Sequence, residues 1–201
     1  IIQDTINGFD SYRTYNFSTS LGTTLYGMFN FGKGKKIEAL RHVFRPSLGY
    51  NVNPSFDQYY DSYIDPTANE QVVEYSRFEQ SLYGAPGNVR SSSVGMSISN
   101  TIEAKVRDRD TTQIKPKKII LLNNLNFSTA YNIAGDSLKW NPLTFSGSIP
   151  LVKKLDFNFN GALDPYALDN NNVRVDDFNI NNGGSLFRLT RANISINYTF
   201  S

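Results

Sequence analysis

The chain has no cysteine, a single histidine and a single tryptophan, and it carries little charge for its length. Each absence removes a class of protein. Without cysteine there is no disulfide, no thiol nucleophile and no cysteine-based zinc site, and the redox compartment leaves no mark on the sequence. The lone His42 excludes a histidine-rich metal site and gives little support to a Ser-His-Asp triad. It falls on the apolar side of an alternating stretch, where an interfacial or capped structural role is expected. No run approaches the ~18 consecutive apolar residues of a membrane helix, so any crossing of a bilayer would be by strands. A formal net charge of +2 gives no nucleic-acid footprint, and no nucleic-acid partner is expected.

What is present is alternation. At 201 residues the chain has the length of a single all-β domain, since sandwiches and barrels often reach about 200–250 residues. Hydrophobic residues make up 39%, yet aromatics reach 13%, which suits a thin apolar band better than a thick core. From Leu143 to Leu163 the apolar residues Leu143, Phe145, Gly147, Ile149, then Leu155, Phe157, Phe159, Gly161 and Leu163 alternate with Thr144, Ser146, Ser148, Asp156, Asn158 and Asn160. Strict period two is the mark of a strand with one apolar and one polar face. The break at Pro150-Leu151-Val152-Lys153-Lys154 makes an antiparallel hairpin of the two halves. The polar face is Ser, Thr and Asn, almost without the Lys and Glu that a strand facing bulk water carries.

The same pattern recurs along the chain. A first strand is predicted over Tyr15–Phe31, with no charge on either face, and a second over Leu40–Asn53, in which Pro46 cannot donate to a ladder and predicts a bulge or weak pairing. A third carries Val94, Met96, Ile98, Ile102, Ala104 and Val106. A fourth, Ile119–Ile133, has the apolar set Ile119, Leu121, Leu125, Phe127, Tyr131 and Ile133. A last strand carries Ala192, Ile194, Ile196, Tyr198 and Phe200. The expected architecture is therefore all-β: about seven long strands forming an antiparallel transmembrane β-barrel segment, part of a larger barrel, with residues 1–201 as one section of wall. The alternating piece at Val72–Leu82 is assigned to a loop. Outer-membrane barrels alternate short periplasmic turns with longer outer loops. That parity makes 54–91 and 164–185 the outer loops and 32–38, 108–117 and 150–154 the periplasmic turns. Charge follows the same division: segments 32–38, 107–118 and 150–156 carry +2, +3 and +1, and segments 54–91 and 164–188 carry −4 and −2. The chain begins Ile1-Ile2-Gln3, without Met or a signal peptide, and is expected to be a piece of a longer precursor, so a missing signal says nothing against export. A soluble β-sandwich adhesin or binding module also alternates apolar and polar positions, and an unrelated porin would share the barrel pattern. Strand length, charge-poor polar faces and aromatics near strand ends (Tyr15, Phe29, Phe31, Tyr131, Trp140, Tyr198, Phe200) favour a barrel over the sandwich.

Four pieces of sequence add a family likeness. Leu40-Arg41-His42-Val43-Phe44-Arg45-Pro46-Ser47-Leu48-Gly49-Tyr50, Phe78-Glu79-Gln80-Ser81-Leu82-Tyr83-Gly84, the run from Asp136 to Asp169 ending DPYALD, and the closing RLTRANISINYTFS together resemble the C-terminal barrel region of the lipopolysaccharide-assembly protein LptD (OstA family), in a divergent branch. The Arg-His-x-x-x-Pro strand and the DPYALD loop are the more specific parts. The resemblance implies a non-enzymatic outer-membrane β-barrel, integral to the cell outer membrane and surrounded by its lipids. By the same resemblance it is plugged by an LptE-like lipoprotein, takes lipopolysaccharide from periplasmic bridge proteins, and releases it into the outer leaflet through a lateral seam. The family's periplasmic β-jellyroll and its paired cysteines have no counterpart in these residues.

Candidate chemistry is sparse. No catalytic residue, metal ligand or cofactor is assigned. If strand parity holds, Arg41, Arg45, Glu103, Lys105 and Arg107 point to the lumen. Guanidinium and ammonium groups pair well with phosphate, which makes Arg41, Arg45 and Lys105 the ligand-binding candidates for a lipid A head group. The bland reading is that they hydrate the lumen or pair with acidic neighbours. Asp169 to Asn172, with Asp176 and Asp177, offer oxygens of the kind Ca²⁺ accepts, although an ordinary solvated loop has the same composition.

Overall fold

In a computed structural model, which describes residues 8–32, 35–65, 70–107, 117–152 and 155–199, the chain is all-β. Most of the expected turn at 108–117, and parts of those at 32–38 and 150–154, lie outside the described residues. The strands are β1 (Phe17–Gly22), β2 (Leu25–Asn30), β3 (Ile37–Asn53), β4 (Asp61–Asp65), β5 (Gln71–Tyr75), β6 (Ser91–Val106), β7 (Lys117–Asn132), β8 (Leu143–Val152), β9 (Leu155–Asp164), β10 (Tyr166–Leu168), β11 (Arg174–Phe178) and β12 (Arg188–Tyr198). By backbone contacts they group into two compact units: Asn51–Ser92 with the chain up to Ser18, and Thr19–Tyr50 with Ser93–Ser201.

The large sheet runs β1-β3-β6-β7-β8-β9-β12, with β2 also paired to β3. β1 and β2 are the two halves of one row, so the sheet has seven rows in chain order, an up-and-down meander. The row predicted over Tyr15–Phe31 is broken at Thr23–Thr24, and the cause lies in its partner. Thr23 donates its N–H to the Pro46 carbonyl at 3.2 Å. Pro46 has no N–H with which to return a bond, so the ladder loses a rung there. β3 itself runs unbroken through Pro46. The sheet is open, with β1 and β2 at one edge and β12 at the other.

Directly opposed residues in an antiparallel ladder project to the same side, so the register sorts the two faces. One is apolar across the sheet: Phe29 opposes Leu40 and Leu25 opposes Phe44. Farther along, Ile98, Phe127, Phe145, Gly161 and Ala192 form one cross-strand row. Gly147, Phe159 and Ile194 form the next, and Ile149, Phe157 and Ile196 another. The other face is a matching set of mostly neutral polar rows: Ser99, Asn126, Ser146, Asn160, Asn193, beside Ser97, Ser128, Thr144 and Ala162, the second ending on the cation Arg191 in β12. In a soluble sandwich a second sheet would cover the apolar face. Here Ile194 and Ile196 are 69% and 64% exposed, and among the described residues no large side chain is fully buried.

The predicted phase of β7 needs correction between Leu121 and Asn124. Asn124 takes φ +50°, and the pairing slips so that Leu125 opposes Asn100 while Leu122 opposes Ile102. The apolar alternation therefore passes through Leu122, and a second shift, between Ile102 and Glu103, restores the predicted phase, so that Ile119 opposes Ala104 on the apolar face while Leu121 is the residue displaced. One inserted residue reverses the side on which the next side chains emerge, and a second returns them.

The smaller unit holds the Val72–Leu82 piece outside the large sheet. β4 pairs with β5 as a separate ribbon, with Tyr63 and Tyr75 ring centroids 5.9 Å apart. Its centre is aromatic: Tyr12 meets Phe78 edge-on at 4.9 Å, Tyr59 meets Phe78 at 5.8 Å, and Phe56 and Phe78 are buried. The Ser76 hydroxyl donates to the Tyr59 carbonyl, the Ser76 N–H donates to the Glu79 carboxylate, and Arg77 pairs with Asp10 at 2.9 Å.

Candidate functional site

Two constellations carry the polar and charged chemistry of the sheet unit. The first lies on the Ser/Thr/Asn face. Small side chains there satisfy one another across strands: Ser47 and Ser97 hydroxyls are 2.6 Å apart, Ser128 and Thr144 hydroxyls 2.7 Å, and the Asn193 amide donates to the Asn160 carbonyl oxygen at 3.1 Å. A neutral hydrogen bond of this kind is worth about 0.5–1.5 kcal/mol net. Opening one for a passing ligand therefore costs little.

That face carries the three cations expected from the sequence, Arg41 and Lys105 toward one end and Arg45 at the middle of β3. Alternation from Ser47 puts Arg45 and Arg41 on its side, and Arg41 reaches Glu103 at 2.5 Å. Lys105, two residues past Glu103, reaches Glu38 at 3.7 Å. Arg45 is exposed, and among the described residues no ion-pair partner faces it. Three cations and two carboxylates leave one net positive charge. Both ion pairs are partly exposed, and pairs of that kind contribute about 0.2–1 kcal/mol, so an anion of higher charge can compete for them. Glu38 is the partner that the sequence reading omitted. A pairing between residues so far apart along the chain has no local signal.

On the opposite, apolar face, His42 bonds through Nε2 to the Asn100 Oδ1 at 2.9 Å, and the Asn100 amide donates to the Leu125 carbonyl at 3.2 Å. That carbonyl belongs to the irregular part of β7, so the pair supplies a hydrogen bond where the ladder is interrupted. This is a structural role of the kind expected for His42.

The second constellation is the loop that begins with DPYALD. Asp164 is 3% exposed and lies between Arg174 at 2.9 Å and Arg188 at 3.4 Å. Its Oδ1 accepts the Tyr166 N–H at 3.1 Å. The Tyr166 ring stacks on Phe178 at 5.4 Å, lies under the Arg174 guanidinium at 5.2 Å, and its hydroxyl accepts the Trp140 N–H at 2.9 Å. One buried carboxylate thus ties β9 to β11 and β12. Arg174 and Arg188 were not singled out from the sequence; the only signal was that Asp164 ends an otherwise charge-poor strand.

The acidic oxygens weighed for Ca²⁺ serve the loop backbone. Asp169 Oδ1 accepts the N–H groups of Asn171 and Val173, each at 2.8 Å, and Asp176 Oδ1 accepts that of Leu138 at 3.0 Å. Asp177 accepts the side-chain amides of Asn181 and Asn182, which lower its pKa below the ordinary carboxylate value. Among the described residues no three His, Cys, Asp or Glu side chains gather as a metal site. No described helix is long and apolar enough to cross a membrane.

Compared with models of known protein families, residues 1–166 match the one described as LptD protein. No curated protein and no solved structure matches significantly.

Proposed function

The chain belongs to the LptD protein family, whose members serve lipopolysaccharide transport and assembly, and from that premise we propose that it is a section of outer-membrane barrel wall that guides lipopolysaccharide into the outer leaflet. In this reading the apolar face meets the hydrocarbon and the Ser/Thr/Asn face lines the lumen. Segments 54–91 and 164–185 lie outside the cell, and the turns at 32–38, 108–117 and 150–154 face the periplasm. Further strands pair with the open edges at β1 and β12. An LptE-like lipoprotein plug and periplasmic bridge proteins complete the machine.

The observation that carries the reading is the pairing of faces: an uncovered apolar side backed by a band of mostly neutral hydrogen-bonding side chains from β6 to β9, ending on Asn193 and Arg191 in β12. Such a band offers sugar hydroxyls exchangeable partners, with fixed charge in these rows only at Arg191 on its edge strand. Midway along β3, Arg45 supplies an unpaired guanidinium for a lipid phosphate, and nearer the turn Arg41 and Lys105 can be released to phosphate from Glu103 and Glu38.

The test has two parts. The folded protein should require detergent and migrate differently on gels before and after heating; solubility without detergent contradicts the wall assignment. Arg45→Glu should reduce delivery of lipopolysaccharide to the cell surface while Ser47→Ala does not. Unchanged surface lipopolysaccharide in a folded Arg45→Glu protein removes Arg45 from the path.

A further inference from the structure

Cations crowd the turn ends of β3, β6 and β7. Lys35, Lys36, Arg107, Lys117 and Lys118 are all exposed there, and among the described residues none of them is paired with a carboxylate. The two carboxylates nearby, Glu103 and Glu38, are held by Arg41 and Lys105. The backbone brings the cations together. Arg107 donates its N–H to the Lys36 carbonyl at 3.2 Å, Lys118 lies directly opposite Lys105, and Lys117 lies opposite Val106. Opposed Cβ atoms in a ladder are about 4.5–5.5 Å apart, inside the ~8 Å screening length of physiological salt, so like charges there repel and dissolved ions do not cancel the repulsion. Register also sorts the two faces. Val106 follows Ala104, which opposes Ile119 on the apolar side, so Lys117 ends the apolar side of β7 and Lys118 its polar side. The far ends of the strands carry the opposite sign, −4 over segment 54–91 and −2 over segment 164–188.

We infer that this rim binds the phosphates of anionic phospholipids, of the phosphatidylglycerol class, in the leaflet that meets the turn end of the wall. The inference rests on the barrel-wall reading above. None of the five unpaired cations is among Arg41, Arg45 and Lys105, which that reading assigns to the transported lipid. Charge placed for solubility alone is mixed in sign over a surface. Here it is segregated, positive where the turns lie and negative where the long loops lie. An anionic bilayer surface attracts basic residues held at its plane, each strengthening the attachment about fivefold, and the attraction fades within a screening length. The rim stands at that plane because it begins where the apolar rows stop, one residue beyond Ile119 and Ala104. A lysine at such a place lays its methylene stem on hydrocarbon and its ammonium among the head groups. Arg107 adds a planar fork that matches two phosphate oxygens. A zwitterionic head group brings an ammonium of its own, which these cations repel, so the rim selects lipids of net negative charge.

The experiment is photolabelling of the full protein in phosphatidylethanolamine nanodiscs doped with a phosphatidylglycerol that carries a diazirine close to its head group, followed by peptide mapping. Phosphatidylethanolamine with the same diazirine is the zwitterionic comparison. The expected result is label concentrated on the peptides holding Lys35–Ile37 and Lys117–Ile119, several-fold stronger from the anionic lipid. Added salt and unlabelled phosphatidylglycerol should weaken it, and inorganic phosphate at the same ionic strength as the salt should do no more than the salt does. Lys36→Ser, Lys117→Ser and Lys118→Ser combined, all at exposed positions outside the packed rows, should reduce the label at least about tenfold. Lys139→Ser, at the loop end, should leave it unchanged. Equal labelling by the two lipids overturns the rim and needs no variant to show it. Label spread equally to the loop-end peptides, or a folded triple variant that labels like wild type, overturns it too. A protein that needs no detergent overturns the wall reading as well, so the two failures are distinct.

Discussion

Two glycines on the apolar face, each beneath a phenylalanine ring, should respond differently to the same added methyl group. Gly147 opposes Phe159 and Gly161 opposes Phe145, a reciprocal arrangement in which each ring covers a missing side chain on the next strand. A Cβ built on Gly147 falls 2.5 Å from the Phe159 Cζ, and its three nearest atoms all belong to that ring. A Cβ built on Gly161 runs into the Phe145 ring and also lies 2.5 Å from the Arg191 carbonyl, which is backbone of β12 beside the register shift between Leu189 and Arg191. A ring can rotate away; a strand carbonyl can move only by disturbing the ladder. Overpacking costs about 1–3 kcal/mol, and replacing glycine returns about 0.4–1 kcal/mol by restricting the unfolded chain. Gly161→Ala should therefore lose about 1–2 kcal/mol and Gly147→Ala less than about 1 kcal/mol. The assay is the urea midpoint of unfolding in detergent, read by the gel shift between folded and heated forms. Equal midpoints for Gly161→Ala and wild type, or a larger loss at Gly147, would refute the argument that backbone crowding decides the difference.

Other positions give separate tests. Asp164→Asn keeps the hydrogen bond to the Tyr166 N–H and removes the charge shared by Arg174 and Arg188. Those arginine side chains are 34% and 29% exposed, so solvent softens the ~3–5 kcal/mol of a fully buried broken pair to about 1–3 kcal/mol. Limited proteolysis should then cut faster between Asp169 and Phe187, and an unchanged cleavage rate contradicts the clamp. Asp177 has a lowered pKa, first through Asn181 and then through Asn182. What it contributes is present above the ordinary Asp value of about 3.9 and is lost as pH falls through its lower folded value. Carboxyl NMR should show its midpoint rising toward the ordinary value when Asn181 and Asn182 are both changed to alanine; an unmoved midpoint rules out the amides as the cause.

How much could be read from the sequence depends on whether the information is local. The hairpin of β8 and β9 follows from alternation and a Pro-Lys turn, both visible in neighbouring residues, and the seven rows follow from repeating that pattern. The phase slip at Asn124 is a single residue in the left-handed region, and alternation carried straight through it misses Leu122 as an apolar-face residue, although a second shift brings Ile119 back into phase opposite Ala104. Pro46 was visible, but its consequence appears in the partner strand, at Thr23–Thr24. The aromatic centre built on Tyr12, Tyr59 and Phe78 has no period to betray it, because irregular chain places rings without a repeat. On the polar face, Arg41, Arg45 and Lys105 were legible as cations. That Glu103 and Glu38 hold two of them depended on how β3 and β6 lie side by side. The clamp of Asp164 by Arg174 and Arg188 was hidden for the same reason.

The claim that most needs testing is which face of the sheet meets lipopolysaccharide. A photo-crosslinking amino acid placed in living cells at Ser18 and at Asn158, on the Ser/Thr/Asn side, with Phe157 as the hydrocarbon-facing control, addresses it directly. Asn158 opposes Ser148 and Ser195, and Phe157 opposes Ile149 and Ile196, so adjacent residues report on opposite faces. Lipopolysaccharide captured at Ser18 and Asn158 and not at Phe157 is the predicted result. Capture at Phe157 alone, or at none of the three in a protein that still needs detergent, would contradict a lipopolysaccharide path along the polar face.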